Sequence, residues 1–298
     1  MEFHRAVRSR FRSLVVLLAA LLLMAVLGIY LLGTYLAQYS TGTQLEIGFE
    51  TSENPGHSSW ALLGHINEYV LQTCCSHSFT RVNDPEGKRG DVGQFSLRPS
   101  DSRVKGNYRS ELRILSNPLH EDTWYKASVF VPADWKNSNV KVVAMQWHGS
   151  RDFFLGEVGR MPPLEITITD DKWQVQKAFD DRIISTSDTP GHVEAIVPLA
   201  ELEVEKGAWT EWLIHTRWSS EADGITRVWV NGNKLVEDFG PNAHRDLTGP
   251  YLKAGVYAPE WGYSGTEPAI SERTLLFDDI EMVQARDPYK MGQNVASN

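Results

Sequence analysis

Between Leu45 and Val283 most of the chain is written in short runs of strand-forming residues, broken by turn residues at intervals of about ten. The runs are Phe79–Val82, Gln94–Arg98, Arg109–Ile114, Trp124–Val131, Val140–His148, Leu164–Thr169, Trp173–Ala178, Trp209–Trp218, Thr226–Val230, Lys234–Val236, Tyr251–Tyr257 and Thr274–Val283. Two turn signals are sharp: Thr169-Asp170-Asp171-Lys172, and Asn231-Gly232-Asn233. Helix signals in this region amount to a turn or two near Ser58–Tyr69. Many short strands at this spacing predict an all-β sandwich of jelly-roll type. No repeat or low-complexity segment interrupts it, and 287–298 reads as a polar tail.

The N-terminus is of a different character. Ser13 to Leu45 carries no charge and Leu14 to Ala37 is almost wholly apolar, whereas Arg5, Arg8, Arg10 and Arg12 precede it. A bilayer core needs about 20 helical residues, and the apolar core of a cleavable signal peptide is about 7–15. The expected organisation is therefore a cytoplasmic basic segment (1–13), a transmembrane helix (14–37), a linker (38–45), a β domain (46–286) and the tail. The positive-inside rule places the domain outside the cytoplasmic membrane, periplasmic or extracellular. Secretion after cleavage near Ala37 is the alternative. With the basic segment removed, 29 basic residues less four leave 25, against 37 of the 38 acidic ones, a remainder of about −12. That excludes nucleic acid as a partner class, though a local basic groove for an acidic polysaccharide remains compatible. Ten tryptophans supply core, and secondarily sugar-stacking, capacity. The adjacent Cys74 and Cys75 read as two structural thiols, since sequence neighbours rarely bridge.

Three strands carry polar faces. With a period of two, Tyr251, Lys253, Gly255 and Tyr257 share one face, and Leu252, Ala254 and Val256 the other. Arg109, Glu111 and Arg113 likewise share a face; Arg matches a carboxylate through two hydrogen bonds, with Glu111 orienting the arginines. Gln146 and His148 share a face at the end of an apolar strand. Arginine, amide, imidazole, ammonium and phenol, without a catalytic carboxylate pair, suit proton abstraction next to a carboxylate. In β-elimination of a uronate, cations and amides stabilise the developing enolate while Tyr or His moves the protons. Gly255 is expected to let substrate approach the backbone.

Five pieces, in this order and spacing, resemble the jelly-roll (concanavalin A-like) polysaccharide lyases, the heparin lyase I-like and glucuronan lyase group related in fold to alginate lyases. They are Arg109-Ser110-Glu111-Leu112-Arg113, Gln146-Trp147-His148-Gly149, Trp209-Thr210-Glu211-Trp212, Val228-Trp229-Val230-Asn231-Gly232 and Tyr251-Leu252-Lys253-Ala254-Gly255-Val256-Tyr257. The resemblance implies that His148 is a base or carboxylate neutraliser, Tyr257 the acid or both acid and base, and that Arg109, Gln146 and Lys253 line the substrate carboxylate. Trp147 stands where alginate lyases of this fold have a smaller aliphatic residue. With few basic residues, the expected substrate is a plain uronate polymer such as glucuronan or a mixed exopolysaccharide, cleaved by a monomer without a cofactor.

Other features carry alternatives. Trp261 and Tyr263 suit either sugar stacking or loop packing. Glu201, Glu203 and Glu205 have the alternation of glycoside-hydrolase acids, in what reads as a loop. Asp278-Asp279 offers oxygens for a structural calcium or lies in solvent. His57, His65, His77, His192, His215 and His244 have no metal-ligand spacing, so no metal site is assigned. A glycan-binding module that does not cleave would use the same groove residues.

Overall fold

The computed structural model describes residues 15–30, 44–47, 49, 69–116, 119–185, 192–262 and 270–284. The chain divides into two units, one ending at Thr41 and one beginning at Gly42. In the first, 15–30 is helical with exposed side chains. At 1.5 Å per residue this helix is ~24 Å long, short of a hydrocarbon core of ~30 Å. Among the described residues no helix is long and apolar enough to cross a membrane. The rest of the expected 14–37 span lies outside the described residues, as do the 1–13 segment, most of the linker and the 287–298 tail.

The second unit is a sandwich of antiparallel strands: β1 (Gln44–Ile47), β2 (Tyr69–Gln72), β3 (Phe79–Asn83), β4 (Asp91–Leu97), β5 (Arg109–Ser116), β6 (Asp122–Val131), β7 (Val142–His148), β8 (Leu164–Thr169), β9 (Lys172–Phe179), β10 (Ala195–Glu203), β11 (Ala208–Arg217), β12 (Ile225–Val230), β13 (Asn233–Phe239), β14 (Tyr251–Tyr257) and β15 (Arg273–Gln284). One sheet runs β13-β12-β11-β6-β15-β4-β3, with β1 on the second half of β15; the other runs β10-β9-β8-β7-β14-β5-β2. All twelve runs read from the sequence are strands, with ends moved by a few residues. Asp170 and Asp171 both take positive φ between Thr169 and Lys172, and Asn231 and Gly232 do so between Val230 and Asn233, which is the twist a two-residue hairpin requires.

Three strands lacked a clear signal. β1 is four residues long, β2 is mostly half-buried, and β10 carries Pro198 with a register shift beside it. β10 is an edge strand, where proline is tolerated. It includes Glu201 and Glu203, which read as loop residues in the sequence. The turn expected near Ser58–Tyr69 lies outside the described residues except for Tyr69, which opens β2.

The core between the sheets consumes most of the tryptophans. Trp147, Trp173, Trp212 and Trp218 are fully buried, with Trp147 edge-on to Tyr125 and Trp173 edge-on to Trp212. The cysteines correct the sequence reading: Cys74 and Cys75 form a disulfide. They sit in the connection between β2 and β3, where the Ser78 N–H donates to the Cys75 carbonyl at 3.1 Å.

Gly255 has a different reason from the expected one. Its φ is +145°, and a Cβ there would lie 2.2 Å from the Ser110 carbonyl oxygen and 2.7 Å from the Glu111 Cα. The glycine is required by the close approach of β5 to β14 at an irregularity in the β14–β7 ladder, rather than by substrate. Gly255→Ala should therefore destabilise the domain by about 3 kcal/mol or more, read as a lower urea midpoint at unchanged m-value.

Candidate active site

The three polar-faced strands are neighbours, with β14 between β7 and β5. Register brings their side chains together. Lys253 faces Arg113 on one side and Gln146 on the other, Gly255 faces Glu111, Tyr257 faces Arg109, and Tyr251 faces His148. Because strand side chains alternate, these polar groups lie on the face turned away from the core that Leu112, Trp147, Leu252, Ala254 and Val256 fill.

At the centre of this face is the buried carboxylate of Glu111. It accepts hydrogen bonds from the Lys253 ammonium, from Gln146 Nε2 and, at 3.3 Å, from Arg109 Nη1. Lys253 is 1 % exposed. Burial pulls its pKa down, opposed by Glu111 and assisted by Arg109. Lys253 and Glu111 are therefore absent from the cavity lining. They form the floor beneath it and hold Gln146 and Arg109 in place.

Above this floor is a cavity of about 390 Å3 whose lining includes Arg109, Gln146, His148 and Tyr257. The Arg109 guanidinium stacks over the Tyr257 ring at 4.6 Å, and Lys253 Nζ lies 5.9 Å from the same ring centre. Arg109 Nε has no hydrogen-bond partner among the described residues. His148 Nδ1 lies 2.8 Å from the Gly149 carbonyl oxygen. A carbonyl only accepts, so Nδ1 carries the proton and the lone pair is on Nε2. Burial, with Lys253 and Arg109 nearby, lowers the His148 pKa to about 4, so the imidazole is neutral at neutral pH. His148 stacks on Tyr251 at 5.3 Å, and Arg113 covers Tyr251 at 4.1 Å. Arg113 thus packs against Tyr251 and is not in the lining. Tyr257, paired with Val143, stands toward the other end of the β14–β7 ladder from His148, and the two meet at the same cavity.

Sequence reasoning missed several lining residues: Asn107, Lys141, Arg160, Glu165, His192 and Glu260. Asn107 is two residues before Arg109, so continuing the alternation would have found it. Lys141 bonds Glu165 at 3.0 Å and Gln176 bonds the same oxygen at 2.7 Å. Arg160 and His192 come from loops with no periodic signal.

Some expectations fall elsewhere. Trp261 is 7 % exposed, belongs to the core and lies edge-on to Tyr108, so its role is loop packing; Tyr263 lies outside the described residues. Glu201 and Glu203 are exposed on the edge strand, Glu201 paired with Lys172 at 2.6 Å, and with Glu205 they are absent from the cavity lining. Asp278 and Asp279 sit at a register shift in β15, where Arg89 pairs with both and Lys126 lies 3.9 Å from Asp279. A guanidinium and an ammonium already answer these carboxylates, so they do not fit a calcium cage.

Residues 49–281 match the family model described as polysaccharide lyase. The fold is similar to the endo-β-1,4-glucuronan lyase of the fungus Trichoderma reesei, at 18% identity over 74% of this chain and 93% of that one, TM-score 0.62. It is also similar to alginate lyase A1-II', a member of polysaccharide lyase family 7, at 15% identity over 73% and 95%, TM-score 0.51. No curated protein matches in sequence.

The floor can be tested directly. Lys253→Met leaves Glu111 without its ammonium and should cost about 3–5 kcal/mol in urea unfolding. The double variant Lys253→Met/Glu111→Gln should lose less than the sum of the two single losses, because neither partner is then left charged and alone.

Proposed function

Because this chain belongs to the polysaccharide lyase family, we propose that it cleaves a plain uronate polymer, of glucuronan or mixed-exopolysaccharide type, by β-elimination at the cavity bounded by β5, β7 and β14. The observation that carries the reading is the convergence of Arg109, Gln146, His148 and Tyr257 on one cavity over a buried Glu111–Lys253 floor. Arg109, with an Nε–H still to be matched, and Gln146, whose Nε2 keeps a second N–H, face the C6 carboxylate of the sugar. Charge that develops there on loss of the C5 proton is met by donors already held in place. The neutral imidazole of His148 takes the C5 proton on Nε2. The electron pair becomes the C4–C5 double bond as the C4–O4 bond breaks, and the Tyr257 hydroxyl gives its proton to O4.

The cavity's charge supports the substrate class. Arg109, Lys141 and Arg160 are accompanied there by Glu165 and Glu260, a balance suited to one carboxylate per sugar rather than to a heavily sulfated chain.

The domain is placed outside the cytoplasmic membrane, held by the 14–37 segment. The arginines before that segment and the Cys74–Cys75 disulfide, a bond that persists in oxidising compartments, support this. Retention of the full chain in the membrane pellet after alkaline extraction is expected; release of a shortened chain would favour secretion.

On a panel of uronate polymers the chain should generate the ultraviolet absorbance of unsaturated uronate ends. Binding without new ends would make it a glycan-binding module instead. Tyr257→Phe and His148→Asn should each lower kcat about 10²–10⁴-fold with the fold intact. A base must be unprotonated to act, so kcat/KM should stay level on acidification until pH falls through about 4, then drop tenfold per unit. A level region that ends near the ordinary histidine value would overturn the lowered pKa of His148, and a limb that survives His148→Asn would assign the base to another group.

A further inference from the structure

The exposed large hydrophobic side chains of the β domain are distributed with a strong bias. Among the described residues after the N-terminal helix, eight are exposed, and all eight lie at one end of the sandwich. The one-turn helix Phe153–Leu155, in the connection from β7 to β8, presents Phe153 (70 % exposed), Phe154 and Leu155. Ile183 (59 %) and Ile184 follow the end of β9, and Ile196, paired with Ala178, opens β10 beside that same end. Phe239 closes β13, and Leu247 lies in the connection from β13 to β14. The loops are tied to one another. Asp180 bridges to His244, Ser150 bonds the Gly249 carbonyl, and Arg160 bonds the Arg182 and Ile183 carbonyls.

The first residue of the sandwich is at the same end. Gln44 pairs with Val283, Gln284 with Thr123, Asp122 with Arg217, Arg217 with Ile225, and Ile225 with Phe239. That row crosses the sheet to where the loop to β14 begins, and Asn242 of that loop bonds the Ser219 and Ile225 groups at the row's edge. The chain therefore enters the domain at the end that carries the apolar side chains, directly after its most apolar segment. Arg151 and Arg245 are exposed among these loops, with Arg151 stacked on Phe153 at 3.9 Å, and Asp181 and Glu194 are exposed beside Ile183 and Ile196. Phenylalanine, leucine and isoleucine beside arginine is the composition that seats in a lipid headgroup region, where anionic lipids attract the guanidinium groups.

We propose that this end of the sandwich is a lipid-facing surface: the loops bearing Phe153–Leu155, Ile183–Ile184 and Leu247 seat in the bilayer interface and fix the domain with its β14 entry end toward the membrane. His148 and Arg160, in the cavity wall, belong to this end and Tyr257 and Lys141 to the other, so the cavity runs from the lipid-facing end away from the bilayer. The inference goes beyond the lyase reading and rests on the proposal that the 14–37 segment holds the chain in a membrane.

The test uses the full chain in vesicles that contain anionic lipid. A fluorophore is attached at Phe154→Cys or, as the control, at Glu205→Cys, an exposed residue between β10 and β11 at the opposite end; the native cysteines are bonded to each other and do not react. Brominated lipids should quench the probe at 154 at least about threefold more than the probe at 205. Equal, weak quenching in chains that float with the vesicles overturns the lipid-facing surface while leaving the anchor intact. Chains that fail to float overturn both. Burial of the probe at 154 that depends on protein density and not on bromination assigns the surface to a second copy of the chain and likewise overturns the proposal. Lyase activity, measured in parallel, reports the catalytic reading separately.

Discussion

One buried carboxylate organises the site. Glu111 is almost wholly removed from water, a placement that costs several kcal/mol for an ion left alone. It is not alone: an ammonium from β14, an amide from β7 and a guanidinium from its own strand converge on its two oxygens. Each donor that compensates the burial is thereby fixed. The groups that face the cavity, Arg109 and Gln146, owe their positions to a residue that does not touch it. Lys253, which carries a full charge in most surroundings, is spent inside this arrangement.

The same burial sets the chemistry of the imidazole. His148 is close to Lys253 and Arg109, two cations that disfavour a third, and desolvation acts in the same direction. Its Nδ1–H is committed to the Gly149 carbonyl. A histidine in that state is an acceptor at Nε2 and not a counter-charge for a carboxylate. In the proposed reaction neutralisation is left to Arg109, and the division of labour between that cation and the proposed base follows from where the polar floor lies.

The sandwich was legible because its strands alternate and its hairpin turns use Asp-Asp and Asn-Gly, residues that accept positive φ. β1, β2 and β10 were not, being short, half-buried or broken by Pro198 at an edge, where packing and not alternation decides. The cavity wall was legible where it rides on strands: Arg109, Gln146, His148 and Tyr257 are read by face. Contributions from loops, such as Arg160 and His192, depend on where long connections return, and a sequence has no period for that. Lys253 and Gly255 were readable as residues of the site face but not in their roles. Whether a lysine is a ligand or a buttress depends on its depth, and whether a glycine admits substrate or a neighbouring strand depends on which backbone lies against it. The Cys74–Cys75 disulfide was not legible, because adjacency in sequence counts against a bridge and only the local backbone decides it.

The ladder across β5, β14 and β7 has a kinetic side. Glu111 and Lys253 are separated by 142 positions in sequence, and Glu111 and Gln146 by 35. Closing the longer loop carries an entropy cost that local hairpins such as β8–β9 and β12–β13 do not bear. β14 also arrives late in synthesis, and it must slot between two strands already made, with Gly255 as the only fit against Ser110. A chain in which β14 has not yet slotted between β5 and β7 has no such cavity, because the wall and floor residues of the three strands meet only once the second sheet is closed.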